Sequence, residues 1–274
     1  GLKRLLKRYF PENYTEILTA AQYMLSEGNV MYYMSDYTET HITALKGVLS
    51  NEKCSKMFAD LRQEDMLLFF REWMKHKKFN EYIAYDVTSV SSYSKNITEL
   101  EWGYNRDKGK LPQINIGMYF GEETRLPLYY RVYPACISDK AHLKYMIADN
   151  DFINGQKARF VMDRGFYNAD NLRYLTERGY RFVIALPTNL KYCTELIKKH
   201  GGELANHSEY RLGPGLPYGK NYEETALGFR MKVHLFYDPQ KALKETEALY
   251  SLIDAQENDL RNMEEPPDKK LHYD

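Results

Sequence analysis

Apolar residues recur three and four apart through the first eighty positions, and after Phe79 that spacing gives way to runs and strict alternation. In the first stretch Pro11 suits a first helical position, and Ile17, Leu18, Ala21, Met24 and Leu25 then repeat at helical spacing until Gly28. A second helical stretch runs from about Ser50 to Lys77, with apolar faces from Met57, Phe58, Leu61, Met66, Leu67, Phe70, Trp73 and Met74. Its basic end, Lys75 to Lys78, suits a helix C-terminus electrostatically; a phosphate contact is the functional alternative. Residues 82–90, YIAYDVTSV, are a nearly unbroken apolar and β-branched run, the pattern of a strand buried on both faces. Asp86 interrupts it, and a buried, unpaired Asp is costly. Ile114, Ile116, Met118 and Phe120 alternate with other residues, GEET turns the chain, and Leu126, Leu128, Tyr130 and Val132 alternate again, which reads as an antiparallel hairpin.

Beyond the hairpin, strand and helix take turns. Ser138 is placed to cap a helix carrying Leu143, Met146 and Ile147, which leads to a strand at 158–163. Asn168 is placed to cap another, with Leu172 and Leu175 inward and Gly179 ending it, before a strand at 181–187. From about Asn189 to Tyr237 glycine and proline punctuate the pattern, with Gly201 and Gly202 breaking any helix there and one strand-like stretch at 229–237. Asp238 and Pro239 then open a long helix with Leu249, Leu252, Ile253, Leu260 and Met263, running to Pro266. The expected organisation is a helical region at 1–79, the first part of an α/β core at 80–189, a β-rich insertion at 190–238, and a long helix at 239–274.

The order βββαβαβ within the core is that of ribonuclease H-like domains, a mixed α/β sheet in which the first strand is central and the fourth lies beside it. On such a sheet Asp86 and Asp163 become neighbours, with Asp163 at the C-terminal strand edge where ligands of open α/β sheets gather.

Composition narrows the class. The chain has 274 residues, 38 basic and 38 acidic, and 43% apolar, with a pI near 7.2. No run of ~18 apolar residues is present to span a bilayer, and the opening GLKRLLKRYF lacks a signal-peptide pattern. Cys54, Cys136 and Cys193 lie far apart, which argues against a disulfide framework and for a reducing compartment. Zero net charge means that a polyanion partner needs a local basic patch. The 25 tyrosines against 12 phenylalanines fit β-propensity and amphipathic core edges, with base stacking as the alternative.

Two carboxylates brought together repel unless a cation neutralises them. Hard divalent ions do so through oxygen ligands, and two of them can promote in-line displacement at phosphorus. Asp86 and Asp163 therefore suggest metal-assisted phosphodiester chemistry.

The segments YDVTSVSSYS, GYNRDKGKLPQINIGMYF, RVYPACISD and FVMDRGFYNADNLRYLTERGYRFVIALP resemble, in order and spacing over about residues 80–190, the catalytic domain of bacterial insertion-sequence transposases of the DDE type. The resemblance implies that Asp86 and Asp163 are the first two catalytic carboxylates, holding Mg²⁺ or Mn²⁺ in a two-metal site. It implies hydrolysis of one strand at each transposon end and joining of the freed 3′ hydroxyl to target DNA. The implied partners are double-stranded DNA, at transposon ends and target, and a second copy in a DNA-assembled homodimer, with no membrane. The implied location is the bacterial cytoplasm, at the nucleoid. Arg106, Lys108 and Lys110, in the loop between the first two strands, and Arg164 are the expected DNA contacts.

Two features depart from the family. Its third carboxylate is a Glu in a box reading Tyr, two residues, Arg, three residues, Glu, six residues, Lys, and no such spacing occurs here. Glu195, Glu203, Glu223, Glu224 and the Glu257–Glu265 stretch lack that setting, so the expectation is that the box lies beyond Asp274 and that this fragment is catalytically impaired. Ala135-Cys136 stands where small or polar residues such as Gly-Asn are common, a change expected to touch a turn. Cys193, His200 and His207 recur at seven-residue intervals, but with the glycines between them they make a poor soft-metal site. The alternatives are a metal-dependent nuclease of the same fold and a non-catalytic DNA-binding relic of a transposase.

Overall fold

The helical spacing of the first eighty residues is realised as short helices: α1 (Leu2–Tyr9), α2 (Tyr14–Ser26), α3 (Met34–Thr40), α4 (Asn51–Asp60) and α5 (Gln63–Trp73). The computed structural model describes residues 1–78, 80–94, 97–102, 111–154, 157–206, 208–226 and 228–262, in two units divided between Leu186 and Pro187. Pro11 sits in the turn before α2 rather than inside the helix. The buried face of α2 is Thr19, Ala20 and Tyr23, while Met24 and Leu25 are exposed. Tyr23 sets this rotation: its hydroxyl donates to the Val30 carbonyl at 2.6 Å and its ring meets Tyr37 edge-on at 5.2 Å.

The expected helix from Ser50 to Lys77 is broken at Leu61 and Arg62. The two halves serve different cores. Cys54 and Met57 of α4 join Ala20, Tyr23, Met34 and Leu49 in a small helical cluster, whereas Leu67 and Phe70 of α5 pack on the sheet core. Trp73 fixes α5 there by donating its indole N–H to the Pro127 carbonyl at 2.7 Å.

Among the described residues of the first unit, one sheet has the order β3-β2-β1-β4-β5, formed by β1 (Tyr82–Ser91), β2 (Gln113–Gly121), β3 (Pro127–Pro134), β4 (Arg159–Met162) and β5 (Arg181–Ile184). β2 runs antiparallel to β1 and β3, whereas β4 is parallel to both β1 and β5. This is the ribonuclease H-like mixed sheet. The crossovers are α6 (Asp139–Asn154) and α7 (Ala169–Glu177), with the N-terminus of α6 supported by the Ser138 hydroxyl and that of α7 capped by Asn168. Gly179, at φ 71°, ends α7 in the left-handed region that glycine tolerates.

The core lies between the sheet and these helices. Leu143, Met146, Ile147 and Leu175 meet Ile83, Tyr85, Tyr119, Tyr129, Tyr133 and Phe160, and Tyr119 donates to the Met146 carbonyl at 2.7 Å. Tyrosine thus fills much of the core, with its hydroxyls reaching partners at the edge.

β1 is not buried on both faces. Ile83, Tyr85 and Val87 point into the core, while Asp86 and Thr88 are exposed. The apolar alternation on β2 likewise belongs to the outer face: Ile114, Ile116 and Phe120 are half-buried and Met118 is exposed, and the buried series is Gln113, Asn115, Gly117, Tyr119 and Gly121. A run of apolar letters reads the same in either setting; the neighbours decide. The desolvation cost expected for Asp86 is therefore not incurred.

Glu81, immediately before β1, is buried. Its carboxylate accepts from the backbone amides of Lys78 at 2.8 Å, Glu123 at 3.1 Å and Thr124 at 2.9 Å, and from the Thr124 hydroxyl. The clamp ties the start of β1 to the β2–β3 turn. Gly121 makes room for it, because a Cβ there would lie 2.3 Å from Thr124 Oγ1 and 3.1 Å from both Glu81 oxygens.

The second unit contains α8 (Lys191–Asn206), the antiparallel pair β6 (Tyr218–Ala226) and β7 (Phe229–Tyr237), and α9 (Pro239–Arg261). The expectation that Gly201 and Gly202 break any helix is overturned, since α8 runs through both. Cys193, Leu196 and Leu204 are buried along it, and that packing outweighs a glycine penalty of roughly 1 kcal/mol each. The Asp238 side chain caps α9 by accepting from the Gln240 and Lys241 amides. Leu249, Leu252, Ile253 and Leu260 are exposed along α9; Met263 and Pro266 lie outside the described residues.

Candidate active site

β1 and β4 pair in parallel register from Tyr82 with Arg159 to Tyr85 with Met162. One step further along this ladder stand Asp86 and Asp163. Adjacent strands lie about 4.8 Å apart, and alternation turns both carboxylates to the face that Ala84 and Val161 share, away from the tyrosine core. Both residues are exposed. Asp86 has Met118 across from it on β2.

Local backbone amides orient each carboxylate. Asp86 Oδ1 accepts from Val87 N at 2.8 Å, and Asp163 Oδ1 accepts from Gly165 N at 2.8 Å, capping a 3-10 turn over Arg164–Phe166. That turn requires glycine, because a Cβ at position 165 would stand 2.9 Å from Asp163 Oδ1. Phe166 then inserts into the core, 4.6 Å from the Tyr85 ring, directly behind the strand that carries Asp86. Asn168 caps α7, and buried Asn171 donates to the Phe166 and Lys140 carbonyls at 3.0 Å each. The segment DRGFYNADN is thus a built support for Asp163.

Beneath the site, Tyr85 and Tyr133 titrate well above the usual range. Burial is the main cause for each; nearby Asp139 and Asp86 add to it for Tyr85, and a 2.8 Å hydrogen bond to Asp139 adds to it for Tyr133. His142 is buried and stacks on Tyr133 at 3.5 Å. Its burial and the charge of Arg131 push the imidazole down to about 4.

Residues 77–216, just over half of the chain, match the family model described as the transposase DDE domain. The chain belongs to that family. No curated protein matches its sequence. Among solved structures, this DDE-domain chain is similar to piggyBac transposase in a synaptic complex with hairpin DNA, at 13% identity and a TM-score of 0.41, covering 85% of this chain and 60% of that one. It is also similar to Mos1 transposase in a paired-end complex with the left transposon end, at 11% identity and a TM-score of 0.28, covering 71% and 66%.

The donor set of the DDE-domain chain suits a hard divalent ion. Two carboxylates share one strand edge, and among the described residues neither has a cationic partner or a hydrogen bond to its Oδ2. Among the described residues no grouping of three or more metal-ligating side chains occurs. The acidic residues weighed for a third role stand in the second unit, where Glu195 faces Lys191, Glu203 binds Lys220 and Tyr210, and Glu223 binds Arg230.

Arg164 is exposed beside Asp163 and has no acidic partner among the described residues. Arg106, Lys108 and Lys110 lie outside the described residues, as does His207. Cys193 and His200 both lie on α8, where His200 stacks on Tyr222 at 4.0 Å. Ala135 and Cys136 do fall in a turn, between β3 and α6.

The sequence reading did not single out Gly165, Phe166, Asn171 or Glu81 as supports. A second Asn three positions after the capping Asn was the available signal for Asn171. Glu81 carried none, since a charged residue at a strand entrance reads as solvated.

Proposed function

We propose that Asp86 and Asp163 jointly hold Mg²⁺ or Mn²⁺ and that this chain carries the strand-cleaving chemistry of a DNA transposase, acting on duplex DNA at transposon ends. The observation that carries the reading is the parallel register of β1 with β4, which sets two carboxylates without cationic partners side by side on one exposed face. A divalent ion bound there supplies Lewis acidity toward phosphorus-bound oxygens and eases deprotonation of an attacking water or 3′ hydroxyl.

The protein's own contributions are positional. Asp86 is fixed by a mid-sheet strand, and its Oδ1 is turned by the Val87 amide. Asp163 is fixed by the Gly165 amide and by Phe166, so each carboxylate keeps Oδ2 available. Arg164, exposed next to Asp163, is placed to meet a substrate phosphate. A third carboxylate has no candidate beside this pair among the described residues, so the pair is the site to test.

Mn²⁺ binding to the chain, followed by electron paramagnetic resonance, should weaken at least about tenfold in Asp86→Asn and in Asp163→Asn, by loss of a ligand. Duplex affinity should change little. Unaltered Mn²⁺ binding in either variant refutes the assignment. Joining of a cleaved 3′ end to a second duplex distinguishes a transposase from a nuclease that only hydrolyses.

A further inference from the structure

At the edge of the sheet opposite the aspartates, a cavity of about 360 Å³ is lined by Asn80, Lys157, Ala158, Arg159, Gly179 and Arg181. Every ionisable side chain in that lining is cationic. Arg159 and Arg181 are direct register partners on β4 and β5, and like charges placed opposite one another destabilise a sheet. Among the described residues neither guanidinium has a carboxylate within ion-pair distance. Lys157 does: Asp151 meets it at 3.0 Å and also accepts the Tyr180 hydroxyl. Arg159 lies over the Tyr82 ring at 5.9 Å, which positions its stem without neutralising its charge.

The aspartate pair does not account for these charges. Four residues separate Arg159 from Asp163, roughly 13 Å of extended chain at about 3.3 Å per residue. That exceeds the screening length of ~8 Å at physiological salt. Two arginines facing each other across a strand pair, at the mouth of a cavity large enough for a ligand, call for an anion with several acceptor oxygens.

We propose that this cavity binds a backbone phosphate of duplex DNA, held by Arg159 and Arg181 through the forked hydrogen bonds that guanidinium groups make to phosphate. The proposal rests on the reading of the chain as a DNA transposase and adds a second point of DNA contact, remote from the reacting edge. Lys157 contributes charge from within its ion pair.

The test titrates the full chain with a labelled mixed-sequence duplex at salt from about 50 to about 200 mM. In Arg159→Gln/Arg181→Gln the slope of log affinity against log salt should fall by about 1.8, at roughly 0.9 per lost phosphate contact. Arg159→Lys/Arg181→Lys should restore most of the slope. A folded Gln double variant with an unchanged slope overturns the site, as does a wild-type chain that ignores the duplex.

Phenylglyoxal modification of the wild-type protein needs no variant: duplex DNA should protect both arginines. Failure of the duplex to protect them overturns the proposal, and protection by inorganic phosphate alone overturns the assignment to DNA. Mn²⁺ binding at Asp86 and Asp163 is measured separately, so loss of the arginine site leaves the carboxylate reading standing, and the reverse holds as well.

Discussion

Glu81→Gln is the sharpest test of how the fold holds β1 in place. The buried carboxylate is surrounded by donors: the Lys78, Glu123 and Thr124 amides and the Thr124 hydroxyl. Glutamine keeps the shape but replaces one oxygen with an NH₂ group. The Thr124 hydroxyl can rotate to accept from it; the backbone amides cannot. At least one amide therefore loses its acceptor, and the remaining bonds lose their charge. A charge-assisted hydrogen bond is worth about 1.5–3 kcal/mol, and a stranded buried donor costs about 1–3 kcal/mol more. The expected loss is thus about 3–5 kcal/mol. At roughly 2–4 °C per kcal/mol for a unit of this size, Tm should fall on the order of 10 °C. Urea unfolding followed by far-ultraviolet circular dichroism measures the free energy directly. A variant within about 0.5 kcal/mol of wild type, the usual range for surface changes, refutes the clamp.

Other consequences are open to the same methods. Gly121→Ala should destabilise by about 1–3 kcal/mol through overpacking against Thr124 and Glu81, and an unchanged urea midpoint would contradict the close approach seen there. His142 titrates at about 4 in the folded chain against 6.5 ordinarily, so the unfolded chain takes up its proton first as pH falls. The stability due to neutral His142 is full above pH 6.5 and is lost between 6.5 and about 4. Melting curves across that range should show a pH slope that His142→Phe reduces, and identical slopes would exclude the imidazole as its source. Gly202→Ala should stabilise the second unit by about 0.5–1 kcal/mol if α8 is continuous, whereas a helix broken at that position would gain nothing.

Much of the architecture was legible because its signals are local. Ser138, Asn168 and Asp238 support helix starts through hydrogen bonds with amides two or three residues on. The βββαβαβ order then leaves few sheets to consider, and it sets Asp86 and Asp163 on neighbouring strands. What escaped depended on distant groups. The burial of Glu81 comes from amides more than forty residues away. The facing of β1 depends on what covers each side of the sheet. The helix through Gly201 and Gly202 depends on apolar neighbours that outweigh two unfavourable propensities. The tyrosine excess was read as core and edge material, and Tyr23, Tyr85, Tyr119, Tyr129, Tyr133 and Tyr180 are all buried.

The anchoring of Trp73 to the Pro127 carbonyl gives the molecule an optical gauge. Of the 2 tryptophans in the sequence, Trp102 is exposed, so a shift of emission toward shorter wavelength in the native state reports chiefly the indole seated against β3. Detachment of α5 from the sheet would redden that emission before the strands separate. Fluorescence and circular dichroism followed together in one titration would then show whether the N-terminal helices leave first or melt with the sheet as one cooperative body.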